Sequence, residues 1–313
     1  MTSVQLNGAF PRPEALIEVS RQFDRGNVTA TELQSAENQA AQEVVKLQVE
    51  NKFDQSVDGQ FNWQDLFRPF SELFTGIEPG SLARWFDNNT FYRTPVIKNI
   101  IRRSEIGVEK YFRSDLLPNS QRKAILPGPY TFAILSQNDA YPSMTELVDD
   151  LAHALAAIVR ELGEKGYSFI QFNEPGLCNV RQNDLKLAKR GYETLAKRNL
   201  HTTLQTYFGD CGEIIDVLLD FPVDCLGVDL YSTSINDLSQ YKFNRELNCG
   251  CIDGRNSLIE SPQHILALLN NVMESVEPRG LSVGPNCDLD FLPYTVAENK
   301  AQLLGELRVK LND

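Results

Sequence analysis

A carboxylate and a thiol in the second half of the chain have the types and positions needed for chemistry. Asp229 interrupts the apolar run 226–231. An isolated buried charge is unfavourable, so this carboxylate must be paired, hydrogen-bonded or bound to a metal. Cys287 follows another apolar run, in the segment 284–288, where a glycine and a proline force a turn. Its thiol is a packed side chain, a metal ligand or a nucleophile. For Asp229, a structural ion pair and a functional role remain equally open.

Two further polar clusters follow apolar runs and could bind a small molecule. Asn173 and Glu174 come directly after the run 168–172, and Glu174 is the better candidate for an acid or a ligand. Asp253 and Arg255 belong to the second cluster, in which the guanidinium fork of Arg255 suits a carboxylate or a phosphate. A structural role for Arg255, in which it joins two loops through a nearby aspartate, is equally open.

The histidines limit the kind of metal site that the chain could hold. His201 begins a strand, which favours the end of a barrel that serves stability. His153 and His264 lie on helical patterns and are expected at the surface. Three histidines exclude a histidine-rich site, whereas a mixed site of cysteine, carboxylate and histidine stays possible. Cys249 and Cys251 alternate along a strand, so their thiols point to opposite faces and are expected to serve packing.

The elements that must position these groups alternate along the chain. Buried parallel strands are continuous apolar runs, and the crossovers that join them are usually helices. When such units repeat, the polar groups at the strand ends meet on one face, where closed βα barrels have their active sites. Eight or nine strand candidates with intervening helices predict a (β/α)8 TIM barrel with a closed parallel sheet. The G-x-G-x-x-G fingerprint follows none of them, so a dinucleotide site has no support.

The first half of the chain is less regular. Its strand candidates include Phe53–Val57 and Leu82–Phe86, and no linker rich in proline, glycine or serine divides the sequence. We therefore predict a single barrel domain over residues 1–313. Residues 60–123 are predicted to form an irregular insertion over the barrel mouth.

Composition limits the classes of partner. The 313 residues carry a formal net charge of -12, which disfavours nucleic acid and anionic membrane surfaces. No apolar stretch approaches transmembrane length, and the first residues lack the features of a signal peptide. The six cysteines have no disulfide-framework spacing, so a reducing cytoplasm is the expected location.

Short motifs in a fixed order carry a family resemblance. They are Asn7-Gly-Ala-Phe-Pro-Arg-Pro13, Arg84-Trp-Phe-Asp-Asn-Asn-Thr-Phe-Tyr92, Leu126-Pro-Gly-Pro-Tyr-Thr131, Gln171-Phe-Asn-Glu-Pro-Gly-Leu177, Thr206-Tyr-Phe208, Phe221-Pro-Val-Asp224 with Val228-Asp-Leu230, Ile252-Asp-Gly-Arg-Asn256 and Gly284-Pro-Asn-Cys-Asp288. With these motifs the chain resembles one barrel half of the cobalamin-independent methionine synthase family, along essentially its whole length. The sequences of these motifs are closer to those of the N-terminal half of that family.

The resemblance implies methyl transfer to the thiol of homocysteine. In that family, a zinc ion held by a His-x-Cys pair, a carboxylate and a distal cysteine binds the thiol as thiolate. Cys287 matches the distal cysteine, and Asp229 stands where the catalytic half has a glutamate. The His-x-Cys pair falls on Thr203 and Gln205, which cannot make an ordinary zinc site. His201 lies on the same strand face, one layer deeper, and is a doubtful third ligand.

Other departures concern the substrate. Asn173 replaces the family's aspartate, Gln60 replaces a glutamate, and Leu135 stands about where a tryptophan would stack on the pterin. The resemblance implies a set of residues that grip the amino acid: Gln60, Asn173, Glu174, Asp253, Arg255 and Asn286. The implied methyl donor is a methylfolate or a methylcorrinoid.

Three functions are compatible with these observations. The first is a stand-alone methyltransferase in which Asp229 and Cys287 hold zinc, with His201 or Cys211 as a further ligand. The second is a non-catalytic companion of a separate zinc-bearing methionine synthase core protein. The third is a corrinoid methyltransferase similar to uroporphyrinogen decarboxylase, which would require a corrinoid protein as partner. In each case the small ligand is a thiol or amino acid, with no nucleic acid and no membrane.

Overall fold

A parallel sheet of seven strands organises the chain. The computed structural model describes residues 2–180, 182–195 and 200–312. The strands are β1 (Ser3–Val4), β2 (Phe74–Arg84), β3 (Phe91–Arg103), β4 (Lys123–Pro127), β5 (Gln137–Asn138), β6 (Phe169–Asn173), β7 (His201–Gln205), β8 (Cys225–Asp229), β9 (Glu246–Ile252) and β10 (Gly280–Pro285). Seven of them form the curled sheet, in the order β1-β10-β9-β8-β7-β6-β4, and all its pairs are parallel. The continuous apolar runs are therefore buried strands, as predicted.

Helices separate the strands of this sheet. They are α1 (Glu14–Asp24), α2 (Ala30–Glu50), α3 (Phe70–Leu73), α4 (Pro129–Ile134), α5 (Met144–Glu164), α6 (Gln182–Leu195), α7 (Ile215–Leu218), α8 (Ile235–Leu238), α9 (Pro262–Ser275) and α10 (Tyr294–Asn312). The start of α2 is fixed by a capping box, because Glu32 N donates to Thr29 Oγ1 and Thr29 N donates to the Glu32 carboxylate. Within the described residues, no helix has both the length and the apolar composition that crossing a membrane requires.

The closed eight-stranded barrel that we predicted is not formed among the described residues. The expected strand at Phe53–Val57 makes only one isolated bridge, from Ser56 to Arg122. It lies between β1 and β4, where Asp54 N donates to Val4 O at 3.0 Å. The carboxylate of Asp54 also accepts the amide of Val4, at 2.9 Å. This side chain takes the place of a backbone partner, so the hydrogen-bond ladder is interrupted.

The segment 60–123, predicted as an irregular insertion, is regular over much of its length. The segment contains a long antiparallel arm, in which β2 and β3 pair from Phe74 with Arg103 to Arg84 with Phe91. Leu82–Phe86, predicted as a barrel strand, lies at the end of this arm. The arm reaches the mouth of the sheet, because the ring of Phe86 lies 5.8 Å from that of Phe208, just beyond β7.

Buried apolar side chains of the sheet, the helices and the arm belong to one hydrophobic cluster. Helix α5 shows why it forms, because most of its apolar residues recur at helical spacing and are buried on one face. The part of the arm nearest the sheet contributes aromatic contacts, such as the stacked rings of Phe70 and Phe74 at 5.9 Å. The division of residues 1–313 into one domain stays a prediction.

Candidate functional site

Tyr207 lies at the strand-end face of the sheet. It follows β7, is fully buried, and its hydroxyl has no hydrogen-bond partner among the residues that the structure describes. Burial raises the pKa of Tyr207 well above its usual value, and the nearby Asp288 and Cys287 raise it further. A buried donor of this kind needs a partner, so Tyr207 marks a place where a ligand atom or a water can bind.

Asp229 is held by hydrogen bonds. Its Oδ1 accepts from the amide of Tyr231 at 2.9 Å and from Asn286 Nδ2 at 3.1 Å, and its Oδ2 accepts from Ser232 Oγ at 2.9 Å. Of the alternatives left open by the sequence, the structure therefore shows a hydrogen-bonded carboxylate. Asn286 is itself fixed, because its Oδ1 accepts the amide of Gly254 at 2.8 Å. The three donors to Asp229 stabilise its negative charge within the protein.

Cys287 is buried close to Asp229. Burial raises the pKa of its thiol well above the usual value, and the carboxylates of Asp288 and Asp229 add to this effect. The thiol donates a hydrogen bond to Asp288 O at 3.5 Å. A Cβ on Gly254 would come within 2.7 Å of the Cys287 sulfur, so the loop after β9 covers the thiol closely. Neutral and covered, this thiol is a poor nucleophile.

The residues around Asp229 and Cys287 do not fit a zinc ion. Gln205 is occupied, because its Oε1 accepts from Asn248 Nδ2 at 2.7 Å and its Nε2 donates to Thr206 O at 3.1 Å. In the described parts of the chain, no group of three or more His, Cys, Asp or Glu side chains could hold a metal. The two side chains of Asp229 and Cys287 fall short of the three protein ligands that a catalytic zinc ion requires.

His201, the doubtful third ligand of the predicted zinc site, lies apart from Asp229 and Cys287. It begins β7, whereas Asp229 ends β8, and the strand register separates them by roughly 20 Å. Its Nε2 lies 2.9 Å from Glu246 Oε2. The pair sits at the opposite end of the sheet from Tyr207, where it can serve only stability.

Of the predicted substrate-binding residues, Asn173 and Glu174 have different surroundings. Asn173 is fully buried at the end of β6; its Oδ1 accepts from Gln171 Nε2 at 2.8 Å, while its Nδ2 has no partner within the described structure. Glu174 instead accepts from Tyr130 N, Thr131 N and Thr131 Oγ1, at 3.1, 2.8 and 2.6 Å. Burial raises the pKa of Glu174 to about 7. Glu174 therefore anchors the start of α4, and Asn173 offers a free donor.

Asp253 and Arg255, the predicted anion site, both make contacts within the protein. Asp253 Oδ1 accepts the amide of Arg255 at 2.9 Å, which closes a local turn. The guanidinium of Arg255 lies 5.0 Å from the centre of the Phe208 ring, in a cation–π contact. Arg255 thus covers an aromatic side chain at the mouth.

Three residues at the mouth have a backbone conformation that side chains disfavour. Gln60, Phe86 and Phe208 have φ values of 55°, 47° and 66°. Each such residue costs about 1–3 kcal/mol, and residues of this kind cluster at binding sites. The Nε2 of Gln60 also has no partner within the described residues. The rings of Phe86 and Phe291 each lie 5.8 Å from that of Phe208, so two of the strained positions, Phe86 and Phe208, are in contact. Nothing local in the sequence signalled this strain.

A cavity of about 550 Å³ opens beneath the tip of the arm. Its walls are largely aromatic, from Phe10, Phe61, Trp63, Trp85, Phe91, Tyr92 and Phe291. Three carboxylates also line it, from Asp65, Asp288 and Asp290. The volume and the lining are those of a small-molecule site. Sequence reasoning missed the cavity, although the motifs at 7–13 and 84–92 supply much of its wall.

Two of the three carboxylates that line the cavity, Asp288 and Asp290, come from the loop after β10. Burial raises the pKa of Asp288 and of Asp290, and the charge of Asp290 raises that of Asp288 further. Asp288 Oδ1 also accepts the amide of Ala9 at 3.0 Å, which fixes its position beside β1. Arg12 donates to the carbonyls of Phe61 and Trp63 at 3.1 and 2.9 Å, so it shapes the wall. The cavity floor can accept hydrogen bonds from a ligand.

Comparisons with known proteins agree with this architecture. The family description "Cobalamin-independent synthase, N-terminal domain" matches residues 72–277. The chain is 27% identical over 298 residues to a methionine synthase from Sulfolobus acidocaldarius, covering 94% of this chain and 87% of that protein. It is 26% identical over 300 residues to one from Saccharolobus solfataricus, covering 94% and 90%.

Solved structures share the fold. A B12-independent methionine synthase from Shewanella sp. W3-18-1, in complex with selenomethionine, superposes with a TM-score of 0.84 at 18% identity, covering 99% of this chain and 97% of that one. A putative vitamin-B12 independent methionine synthase from Listeria monocytogenes gives a TM-score of 0.79 at 17% identity, covering 99% of both chains. The match over two thirds of the sequence confirms the resemblance: the chain belongs to the cobalamin-independent methionine synthase family.

Proposed function

We propose that this chain is a methyltransferase that moves a methyl group from a methylfolate to the thiol of homocysteine, which gives methionine. The observation that carries the proposal is the aromatic, acid-floored cavity at the strand-end face of a chain that belongs to this family. Relatives named methionine synthase match nearly the whole length of the chain, which supports the same reaction here.

The cavity suits the pterin ring of a methylfolate. A pterin is flat and aromatic and carries several N–H donors along one edge. The walls formed by rings such as Trp63, Trp85 and Tyr92 offer stacking surfaces, and Asp288 and Asp290 offer acceptors for that edge. These rings would take the role of the tryptophan that the resemblance implies at about position 135, where this chain has Leu135.

Free donors beside the cavity suit the carboxylate of an amino acid. Gln60 Nε2, Asn173 Nδ2 and the hydroxyl of Tyr207 each lack a partner within the described residues. Hydrogen bonds to a charged acceptor are stronger than neutral ones, so a bound carboxylate would satisfy these groups favourably. The structural neighbour from Shewanella carries selenomethionine, which supports an amino acid of this size on the same fold.

The reaction needs the acceptor as a thiolate, because the thiolate is the nucleophile. Its sulfur forms a bond to the methyl carbon, the bond from that carbon to the folate nitrogen breaks, and the nitrogen takes up a proton. Since the donor set at Asp229 and Cys287 does not fit zinc, no step is assigned to a metal. The chain's part is to hold donor and acceptor together at the mouth and to exclude water.

The direct test uses the purified chain with homocysteine and 5-methyltetrahydrofolate, and detects methionine by mass spectrometry. We expect methionine from the chain alone, and at least a tenfold loss of methylfolate affinity in Asp288→Asn, which keeps the shape of the side chain. Asp139→Asn is the matched control, because Asp139 pairs with Lys98 on β3 and lies outside the cavity lining. Absence of both methionine and methylfolate binding would refute the proposal.

A second function is favoured by one specific observation. The matching family description is that of the N-terminal domain, and Thr203 and Gln205 stand at the zinc-ligand positions. A companion of a zinc-bearing core protein would bind methylfolate but form methionine only after that core is added. Running the same assay with methylcobalamin in place of methylfolate tests the corrinoid donor.

A further inference from the structure

Two cysteines from different strand-end loops meet beside the mouth. Cys178 lies in the short helical turn Pro175–Asn179, just after β6, and Cys211 lies in the loop after β7. Their sulfur atoms are 2.9 Å apart, closer than sulfurs in ordinary van der Waals contact. Both thiols are free. The contact joins residues 33 positions apart, so it is produced by the fold and not by local sequence.

Each loop is held in place by bonds that do not involve sulfur. The amide of Cys211 donates to Thr233 Oγ1 at 2.9 Å. The loop of Cys178 is held at Gly176, whose amide donates to Thr131 Oγ1 at 3.0 Å. Gly209 permits the approach of the two loops, because a Cβ there would come within 2.7 Å of the Cys178 Cβ. The sulfurs therefore meet because the surrounding backbone brings them together.

The two thiols differ in access to solvent. Cys178 is partly exposed, whereas Cys211 is buried. The other four cysteines are buried as well. A small reagent can therefore reach Cys178 first, with Cys211 directly behind it. The hydrogen bond from Cys211 and burial raise the pKa of Cys178 well above its usual value, so Cys178 rests as a thiol and attacks through the small fraction that is thiolate.

We propose that Cys178 and Cys211 are a redox-modification site that closes to an intramolecular disulfide when it reacts with a low-molecular-weight disulfide. The Cys178 sulfur attacks one sulfur of the small disulfide, the S–S bond breaks, and one small thiol leaves with the proton of Cys178. The Cys211 sulfur then attacks the Cys178 sulfur of this mixed disulfide. The second small thiol leaves with the proton of Cys211. The protein dithiol is oxidised by two electrons, and the small disulfide is reduced to two thiols.

The site is connected to the mouth. Thr233, which binds the amide of Cys211, donates its own amide to Asp229 O at 2.9 Å. Cys211 follows Tyr207 and Phe208 on the same loop. Closing the disulfide therefore ties the loop after β6 to the loop after β7, which carries Tyr207. The oxidised chain is expected to melt at a higher temperature, because the cross-link restricts the unfolded state.

The experiment oxidises the full-length chain with glutathione disulfide as the probe, then denatures it and alkylates the remaining thiols with N-ethylmaleimide. Intact mass counts the alkylated thiols, and proteolysis identifies the linked peptides. We expect the count to fall from six to four, a cross-link between the peptides of Cys178 and Cys211, and recovery of six after dithiothreitol.

Single variants separate the steps. Cys211→Ser should stop at a mixed disulfide, with one glutathione on Cys178, whereas Cys178→Ser should stay unmodified. Cys225→Ser is the matched control and should still lose two thiols; circular dichroism checks that each variant is folded. Six alkylated thiols in the oxidised wild-type chain, or a cross-link that involves another cysteine, would overturn the proposal.

Discussion

Replacing Tyr207 with phenylalanine removes one buried hydroxyl and keeps the shape of the ring. That hydroxyl has no hydrogen-bond partner among the described residues, and the side chain is fully buried. An unpaired buried polar group costs about 1–3 kcal/mol relative to its state in water. We therefore expect Tyr207→Phe to raise the free energy of unfolding by about 1–2 kcal/mol, whereas most substitutions in a core lower it.

The same hydroxyl is the donor that we assign to the carboxylate of the bound amino acid. A hydrogen bond to a charged group contributes about 1.5–3 kcal/mol. Its loss should weaken homocysteine binding by about 10- to 150-fold, since each 1.4 kcal/mol is a factor of ten. The variant should thus be more stable and bind its substrate less tightly.

Tyr167→Phe provides the matched control. Tyr167 is also buried with an unpaired hydroxyl, but it precedes β6 and lies at the opposite end of the sheet. We expect a similar gain in stability and an unchanged affinity for homocysteine. Urea unfolding measures the first quantity, and isothermal titration calorimetry measures the second.

One pair of results would refute this reasoning about Tyr207. If Tyr207→Phe were less stable than the wild-type chain and bound homocysteine equally well, its hydroxyl would be a structural donor. If Tyr207→Phe were more stable and bound homocysteine equally well, the hydroxyl would be unpaired in the free chain but would not contact the substrate.

Three further predictions concern a glycine in the sheet, a buried lysine and the removal of metal ions. Gly227→Ala should lower the free energy of unfolding by about 2–6 kcal/mol, because the added Cβ would lie 1.9 Å from Gln205 Oε1. In a double-mutant cycle, the variant that also carries Gln205→Ala should regain part of this loss. Burial lowers the pKa of Lys123 in the folded chain to about 7, below its value in the unfolded chain. Between about pH 7 and 10 only the unfolded chain binds this proton, so the free energy of unfolding should rise with pH over that range. Lys123→Met should flatten that rise in urea titrations. Dialysis against a chelator should change neither the melting temperature nor methionine formation, and a loss reversed only by zinc would contradict the metal-free site.

The strands of the parallel sheet were predictable because their signal is local. The apolar runs that lead to Asn173, Asp229 and Cys287 form β6, β8 and β10, close to the expected positions. Buried parallel strands need no alternation with polar residues, so a continuous run is sufficient evidence. Their order in the sheet follows from the repeated crossover units.

The arm was missed for a physical reason. Its strands carry Pro79 and Pro95, which face each other in the pairing, and Gly76 and Gly80 break the ladder nearby. Proline and glycine weaken a strand prediction because proline lacks a donor and glycine lacks a side chain to pack. The contacts that hold the arm, such as Phe86 against Phe208, join distant parts of the chain and leave no local pattern.

The candidate site was predictable only in part, for the same reason. Sequence position brought Asp229 and Cys287 to the strand-end face, but their hydrogen-bond partners depend on register and side-chain direction. The unpaired donors of Gln60, Asn173 and Tyr207 became visible only when all contacts around them were known. The cavity likewise needs the arm, the loop after β10 and the segment after β1 at once.

Gln205, at a position where the resemblance implies a zinc ligand, belongs to a buried hydrogen-bond network. The carboxamide of Gln205 packs over Gly227, where any side chain would collide with it, and it accepts from Asn248. Asn248 Oδ1 in turn accepts from Ser282 Oγ at 3.1 Å, and Ser282 Oγ accepts from Gln5 Nε2 at 3.3 Å. These buried amides satisfy one another, and a metal ligand at position 205 would leave Asn248 without its partner, at a cost of about 1–3 kcal/mol. The interior below Asp229 is therefore committed to a hydrogen-bonded network. Of the donors left without a partner among the described residues, Gln60 Nε2 lines the aromatic cavity, whereas Asn173 ends β6 and Tyr207 follows β7.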